Sequence, residues 1–170
     1  LFSIFTDNKM KKITIYLILI INIFFYSGNA LSKVVGDKII IGTTFSITGK
    51  NSSETPFYKN QFDRAIKSIN SLGGVNVGGK SYQLEIIYYD NESNANRANQ
   101  LINRLINHEG LQYLIVLQNF KLSNQTKKLI ENNQISIAKS YEAIKIYKEA
   151  FESVNSVESI KIKKFILNNR

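Results

Sequence analysis

The 170-residue sequence contains no cysteine, one proline and one histidine. Without cysteine there is no disulfide, no thiolate metal site and no thiol to carry a lipid anchor. The lone histidine, His108, stands beside Glu109 and Gly110 near a predicted helix end, where an imidazole meets terminal carbonyls more readily than it acts as a base. No Gly-x-Gly-x-x-Gly follows the first predicted strand, so a dinucleotide site has no support. Asp90 with Glu92, and Asp63 with Glu54, form carboxylate pairs without the third ligand that a cation requires. Neither a catalytic group, a metal nor a cofactor is expected.

A long apolar run is missing as well. Ile13 to Phe25 spans 13 residues, whereas a membrane span needs about 20. Met10, Lys11 and Lys12 precede the run and Gly28-Asn29-Ala30 follows it, which is the layout of a secretory signal. The expected organisation is therefore a lead over residues 1–9 that carries no fold information, a signal peptide over 10–30, and a mature chain beginning at Leu31 in the periplasm. Membrane contact is expected only through the signal peptide before cleavage.

Residues 31–170 number 140, enough for one domain that buries about two thirds of its unfolded surface. Loss of Lys9, Lys11, Lys12 and Asp7 lowers the formal charge from +9 to +7. The surplus lies in residues 111–170, which hold ten basic and five acidic side chains. These lysines alternate with apolar residues along predicted amphipathic helices, and no RNA-binding or zinc spacing accompanies them, so a solvated helix face is the reading and no nucleic-acid partner is expected.

Periodicity predicts alternating strands and helices. Ile39-Ile40-Ile41 is a continuous β-branched run, as in a parallel strand covered on both faces. Tyr58, Phe62, Ala65, Ile66, Ile69 and Leu72 recur at helical spacing, with Pro56 suited to a first turn and Gly73-Gly74 to a helix stop. Val75 to Lys80 reads as a tight turn or short hairpin before a second strand, Tyr82–Tyr89. A helix capped by Ser93, with Ala98, Leu101, Ile102 and Leu105 as its stripe, leads to a third strand, Tyr113–Leu117. A helix over Asn124–Asn132, capped by Ser123, then precedes a fourth strand, Gln134–Ala138. Right-handed crossovers make this an α/β fold, a doubly wound parallel sheet of strand order 2-1-3-4, with Ile40, Phe62 and Ile86 expected in its core.

Ligands of open α/β sheets sit beyond the carboxyl ends of strands, near the reversal of strand order. Here that means the loops after the first and third strands. The first, Phe45-Ser-Ile-Thr-Gly-Lys-Asn-Ser-Ser-Glu54, is rich in hydroxyls and leads into a helix N-terminus, which favours anions such as a carboxylate. Its plain alternative is a solvated loop whose Ser and Thr cap turns.

The stretch from Lys38 to Asp90, with its buried strand, Ser-Ile-Thr-Gly loop, Gly-Gly-terminated helix and strand ending in an acidic residue, resembles the start of the type I periplasmic solute-binding proteins. The resemblance is to the branched-chain amino-acid (leucine-binding) family of ABC importers. It implies a partial N-terminal ligand-binding lobe over 31–138, with a small-molecule ligand such as an amino acid, an ABC permease as partner, and ligand contacts from Ser46, Thr48 and Gly49; the position and composition of the loop add Ser53 and Glu54 as candidates. After the third strand the family has a Gly-containing turn with consecutive hydroxyls, whereas this sequence has Leu117-Gln118-Asn119-Phe120. Gln118 and Asn119 can still donate hydrogen bonds but lack that pattern. Residues 139–170 are similar to the family's C-terminal helix pair, with Ala143, Tyr147, Ala150, Phe151 and Val154 on one face. A second lobe would then be missing from this sequence. The alternatives are a non-binding remnant of the family or an unrelated flavodoxin-like module.

Overall fold

The computed structural model describes residues 33–117 and 121–169. The expected leader, Gln118 and Asn119 lie outside the described residues. Strands β1 (Val34–Val35), β2 (Lys38–Phe45), β3 (Val75–Val77), β4 (Lys80–Asp90), β5 (Tyr113–Ile115) and β6 (Ser136–Ala138) form one sheet in the order β3-β4-β2-β5-β6. The four parallel strands β4-β2-β5-β6 reproduce the predicted order 2-1-3-4. Two short antiparallel additions complete the sheet: β1 lies on β2 with Val34 opposite Ile39, and β3 lies on β4 with Val75 opposite Tyr82.

The helices are α1 (Thr55–Ser71), entered through a 3-10 turn at Ser52–Glu54, α2 (Ala95–Asn107), α3 (Asn124–Asn132), α4 (Ala143–Val154) and α5 (Ser159–Asn168). They cover both faces of the sheet, because successive β2 side chains point to opposite sides. Ile39, Ile41 and Phe45 join Phe62 and Ile69 of α1, Tyr147 and Phe151 of α4, and Ile162 and Ile166 of α5 in one core cluster. On the other face Ile102, Leu105 and Ile106 of α2 pack with Leu111, Leu114 and Ile130. The C-terminal helices thus share a core with the strands of the expected lobe.

Local chemistry sets the ends of these elements. Helix α1 stops in a Schellman arrangement, in which Gly74 N donates to Ile69 O at 3.0 Å and Gly73 N to Asn70 O at 3.1 Å. Both glycines have positive φ, and a Cβ at Gly74 would lie 2.2 Å from Tyr82 O. Ser123 caps α3 as predicted, its hydroxyl accepting from Thr126 N.

Four expectations need correction. The cap of α2 is Asn94, whose Oδ1 accepts from Asn96 N and Arg97 N; Ser93 is instead turned toward the loop after β2. Leu72, placed on the buried stripe, is 84% exposed because the helix unwinds at this residue. Ile40 and Ile86 are half-buried, although Phe62 is in the core. Ile40 is in register with Glu85, whose ion pair with Lys38 (3.0 Å) marks the wet margin of that face of the sheet; Ile86 lies beyond the short β3, where β4 has become the sheet edge.

Candidate functional site

The carboxyl ends of β2 and β4 lie side by side, with Phe45 in register with Asp90. The loops that leave them are knitted together. Ser46 is 4% exposed and its hydroxyl donates to Asn91 Oδ1 at 3.0 Å, while its carbonyl accepts from the buried Thr55 hydroxyl at 2.7 Å. Thr48 donates twice to Asp90, from its hydroxyl at 2.7 Å and its amide at 3.2 Å. Ser93 Oγ donates to Thr48 O and accepts from Asn51 N, both at 3.0 Å. Gly49 has φ +89°, and a Cβ there would stand 2.6 Å from Glu92 O and from Ser93 Oγ. The glycine is therefore required by the close approach of the two loops.

Two of the residues expected to bind ligand, Ser46 and Thr48, thus direct their hydroxyls at the β4–α2 loop. Asp90 and Asn91 are the partners that sequence spacing did not reveal. Asp90 has its carboxyl held below the ordinary value of 3.8: burial pushes it up most strongly, but bonds from Glu92 N, from the hydroxyl and amide of Thr48 and from Ile47 N together outweigh it. A depressed folded value means that the carboxylate's contribution is present above the unfolded value and lost as pH falls through the folded one. Hydrogen bonds to charged groups contribute roughly 1.5–3 kcal/mol each, and the partial exposure of Asp90 brings the expected cost of Asp90→Ala to about 2 kcal/mol. In urea melts, that difference from the parent should hold steady from about pH 5 to pH 8 and shrink below about pH 4. A difference that instead vanished toward neutral pH would rule out the ionised anchor.

Ser53 and Glu54 remain exposed at the entrance to α1. Glu54 Oε2 accepts from the Tyr58 hydroxyl at 3.2 Å. Tyr58 stacks on Tyr141 with ring centroids 4.6 Å apart and planes 10° apart, their hydroxyls 3.4 Å from each other. This pair joins the entrance of α1 to the loop after β6. Sequence reasoning placed Tyr58 on a core stripe and left Tyr141 unassigned, since residues 83 apart show no common period. Beyond β5, Val116 and Leu117 are buried, and after β6 Lys139 is exposed while the Ser140 hydroxyl accepts from Glu142 N. Among the described residues no group of three or more His, Asp or Glu could hold a metal ion, and no helix is long and apolar enough to cross a membrane.

No protein-family model matches the sequence. The structure is similar to substrate-binding proteins of branched-chain amino-acid ABC transporters. Over 59% of its length the chain matches the isoleucine complex of LivJ from Streptococcus pneumoniae, with 18% identity, a TM-score of 0.46 and 28% of that chain covered. A putative branched-chain amino acid ABC transporter from Silicibacter pomeroyi matches over 59% of this chain and 25% of that one, at 20% identity and a TM-score of 0.49. One from Rhodospirillum rubrum matches over 64% and 31%, at 17% identity and a TM-score of 0.47. The matched part is less than a third of each of these proteins.

Proposed function

We propose that residues 31–170 form one lobe of an extracytoplasmic solute-binding component of an ABC importer, exported by a signal peptide over 10–30 and taking an amino acid at the carboxyl edge of the sheet. The observation that carries this reading is the Ser46-Ile-Thr-Gly49 loop, which joins the central strand to the N-terminus of α1 at that edge. Ser53 and Glu54, at the start of α1, are the exposed polar groups nearest in sequence to that helix end. Backbone donors there suit a carboxylate, and Glu54 suits an ammonium group. An ABC permease would be the membrane partner.

A single lobe encloses only one face of a ligand. One or two surviving charge-assisted bonds at roughly 1.5–3 kcal/mol each are largely offset by lost translational and rotational freedom. Leucine, isoleucine or valine should therefore bind no tighter than about 1 mM, near −4 kcal/mol. The test is titration calorimetry on protein recovered from the periplasm of a Gram-negative host, with intact mass confirming a start at Leu31. Weak heats lost in the Ser53→Ala, Glu54→Gln double variant would support the site. A second reading, a folded family member that binds nothing, is favoured by the internal use of the Ser46 and Thr48 hydroxyls; it predicts no saturable heat with any of the three.

A further inference from the structure

Residues 31–170 contain no cysteine, methionine or tryptophan, the one methionine being Met10. The side chains that normally absorb oxidising equivalents first are thus absent from this part of the chain, and tyrosine becomes its most readily oxidised group. Seven tyrosines lie there: Tyr58, Tyr82, Tyr88, Tyr89, Tyr113, Tyr141 and Tyr147. Tyr113 and Tyr147 are 0% exposed and their rings meet at 70°. The Tyr88 and Tyr89 hydroxyls are held by Asp63 and Glu109, as that of Tyr58 is by Glu54, but Tyr88 stacks on Phe45 and not on a second tyrosine, and Tyr82 carries the Lys80 ammonium over its ring. Tyr58 and Tyr141 differ from all of these. Their rings are stacked face to face at 4.6 Å, their hydroxyls are 3.4 Å apart, and Tyr141 is 52% exposed.

We propose that Tyr58 and Tyr141 form an oxidative cross-linking site, joined within one chain as a dityrosine by a one-electron oxidant of the peroxidase class. Each phenol gives up one electron and its hydroxyl proton. Glu54, which already accepts from the Tyr58 hydroxyl at 3.2 Å, takes the Tyr58 proton, and solvent takes that of the exposed Tyr141. The two radicals form a carbon–carbon bond between ring positions ortho to the oxygens. The two ortho hydrogens then pass to the oxygens as the rings become aromatic again, so the product is a biphenol lacking two hydrogen atoms. The two electrons and two protons reduce one hydrogen peroxide to two waters. A base beside Tyr58 matters because its hydroxyl is pushed up to about 12, chiefly by the bond with Tyr141 and then by burial and Glu54, and stays protonated at neutral pH.

The bond would tie the entrance of α1 to the loop after β6, across 83 residues, and so fix the carboxyl edge covalently in a protein that has no cysteine for a disulfide. The test treats the purified full chain with peroxidase and one equivalent of hydrogen peroxide at neutral pH. Expected are a mass lower by two hydrogen atoms, dityrosine fluorescence, a proteolytic fragment containing both Tyr58 and Tyr141, and unchanged monomer on a denaturing gel. Tyr141→Phe and Tyr58→Phe, which keep both rings, should each abolish the fragment, while Glu54→Gln should slow its formation several-fold. Covalent dimers as the main product, an undiminished intramolecular dityrosine yield in Tyr141→Phe, or peroxide consumption without the linked fragment would overturn the proposal. An unchanged rate in Glu54→Gln would overturn the role of the carboxylate as proton acceptor.

Discussion

Ile41→Asp is expected to abolish cooperative folding. Ile41 is 0% exposed on β2, the strand that has parallel partners on both sides, and it faces the cluster that joins α1, α4 and α5. Trimming a buried Ile costs about 2–5 kcal/mol, and the aspartate adds an unpaired charge where no partner is at hand. The sum reaches the roughly 5–15 kcal/mol that a whole domain has in reserve. Ile40→Asp is the informative companion, since Ile40 is half-buried and lies beside Glu85 on the opposite face, at its wet margin. Far-ultraviolet circular dichroism with urea should show a flat trace for Ile41→Asp and a weakened but sigmoidal one for Ile40→Asp. A sigmoidal melt for Ile41→Asp within about 1 kcal/mol of the parent would mean that the core does not lie on this face of β2.

Much of the architecture could be read from periodicity because it depends on contacts that repeat along the chain. The Ile39–Ile41 run, the Phe62 and Ile69 stripe, the Gly73-Gly74 stop and the Ser123 cap each act within a few residues, and each is where the pattern put it. The parallel order of the four strands agrees with right-handed crossovers that place helices on both faces. Which residues of a strand are fully covered did not follow, since that depends on where neighbouring elements end. Ile40 and Ile86 have the same chemistry as Ile41; Ile40 faces the other side of the sheet and Ile86 stands on an edge strand, and neither is fully covered there.

The hydroxyl-rich loop after β2 was legible in position, and its contacts were not. A hydroxyl-rich loop at the carboxyl end of a central strand can hold a ligand or hold its neighbour, and the sequence Ser-Ile-Thr-Gly is compatible with both. Asp90 and Asn91, which claim the Thr48 and Ser46 hydroxyls, lie 42 and 45 residues further along. The same holds for Tyr58 and Tyr141. Short-range spacing contains no information on such pairs; the β2–β4 register, which puts Phe45 opposite Asp90, brings the first two pairs together, and the packing of α1 beside the loop after β6 brings the tyrosines together.

Tyr147→Phe should produce a measurable loss of stability from the removal of a single oxygen. Tyr147 is 0% exposed on α4 and its hydroxyl lies against the backbone of two adjacent strands. It accepts from Leu114 N at 3.1 Å and has Leu114 O at 2.9 Å and Ser136 O at 2.8 Å to donate to. This one group therefore ties α4 to both β5 and β6, next to its ring contacts with Tyr113 and Phe151. Phenylalanine keeps the ring and removes the hydroxyl from the β5–β6 ladder, whose own pairing stays in place. At about 0.5–1.5 kcal/mol for each hydrogen bond removed, and allowing that one proton serves two carbonyls, the expected loss is about 1–2 kcal/mol. For a domain of this size that lowers the melting temperature by roughly 5 °C. The pH dependence separates the hydroxyl from simple packing. Burial raises the Tyr147 hydroxyl above its ordinary value of 10.0, so its contribution is complete below that value and is lost as pH rises toward the higher folded one. The parent should therefore exceed Tyr147→Phe by a constant margin through the neutral range, and the margin should narrow only above about pH 10. A melting temperature within about 2 °C of the parent at neutral pH would show that β5 and β6 are held without this bridge.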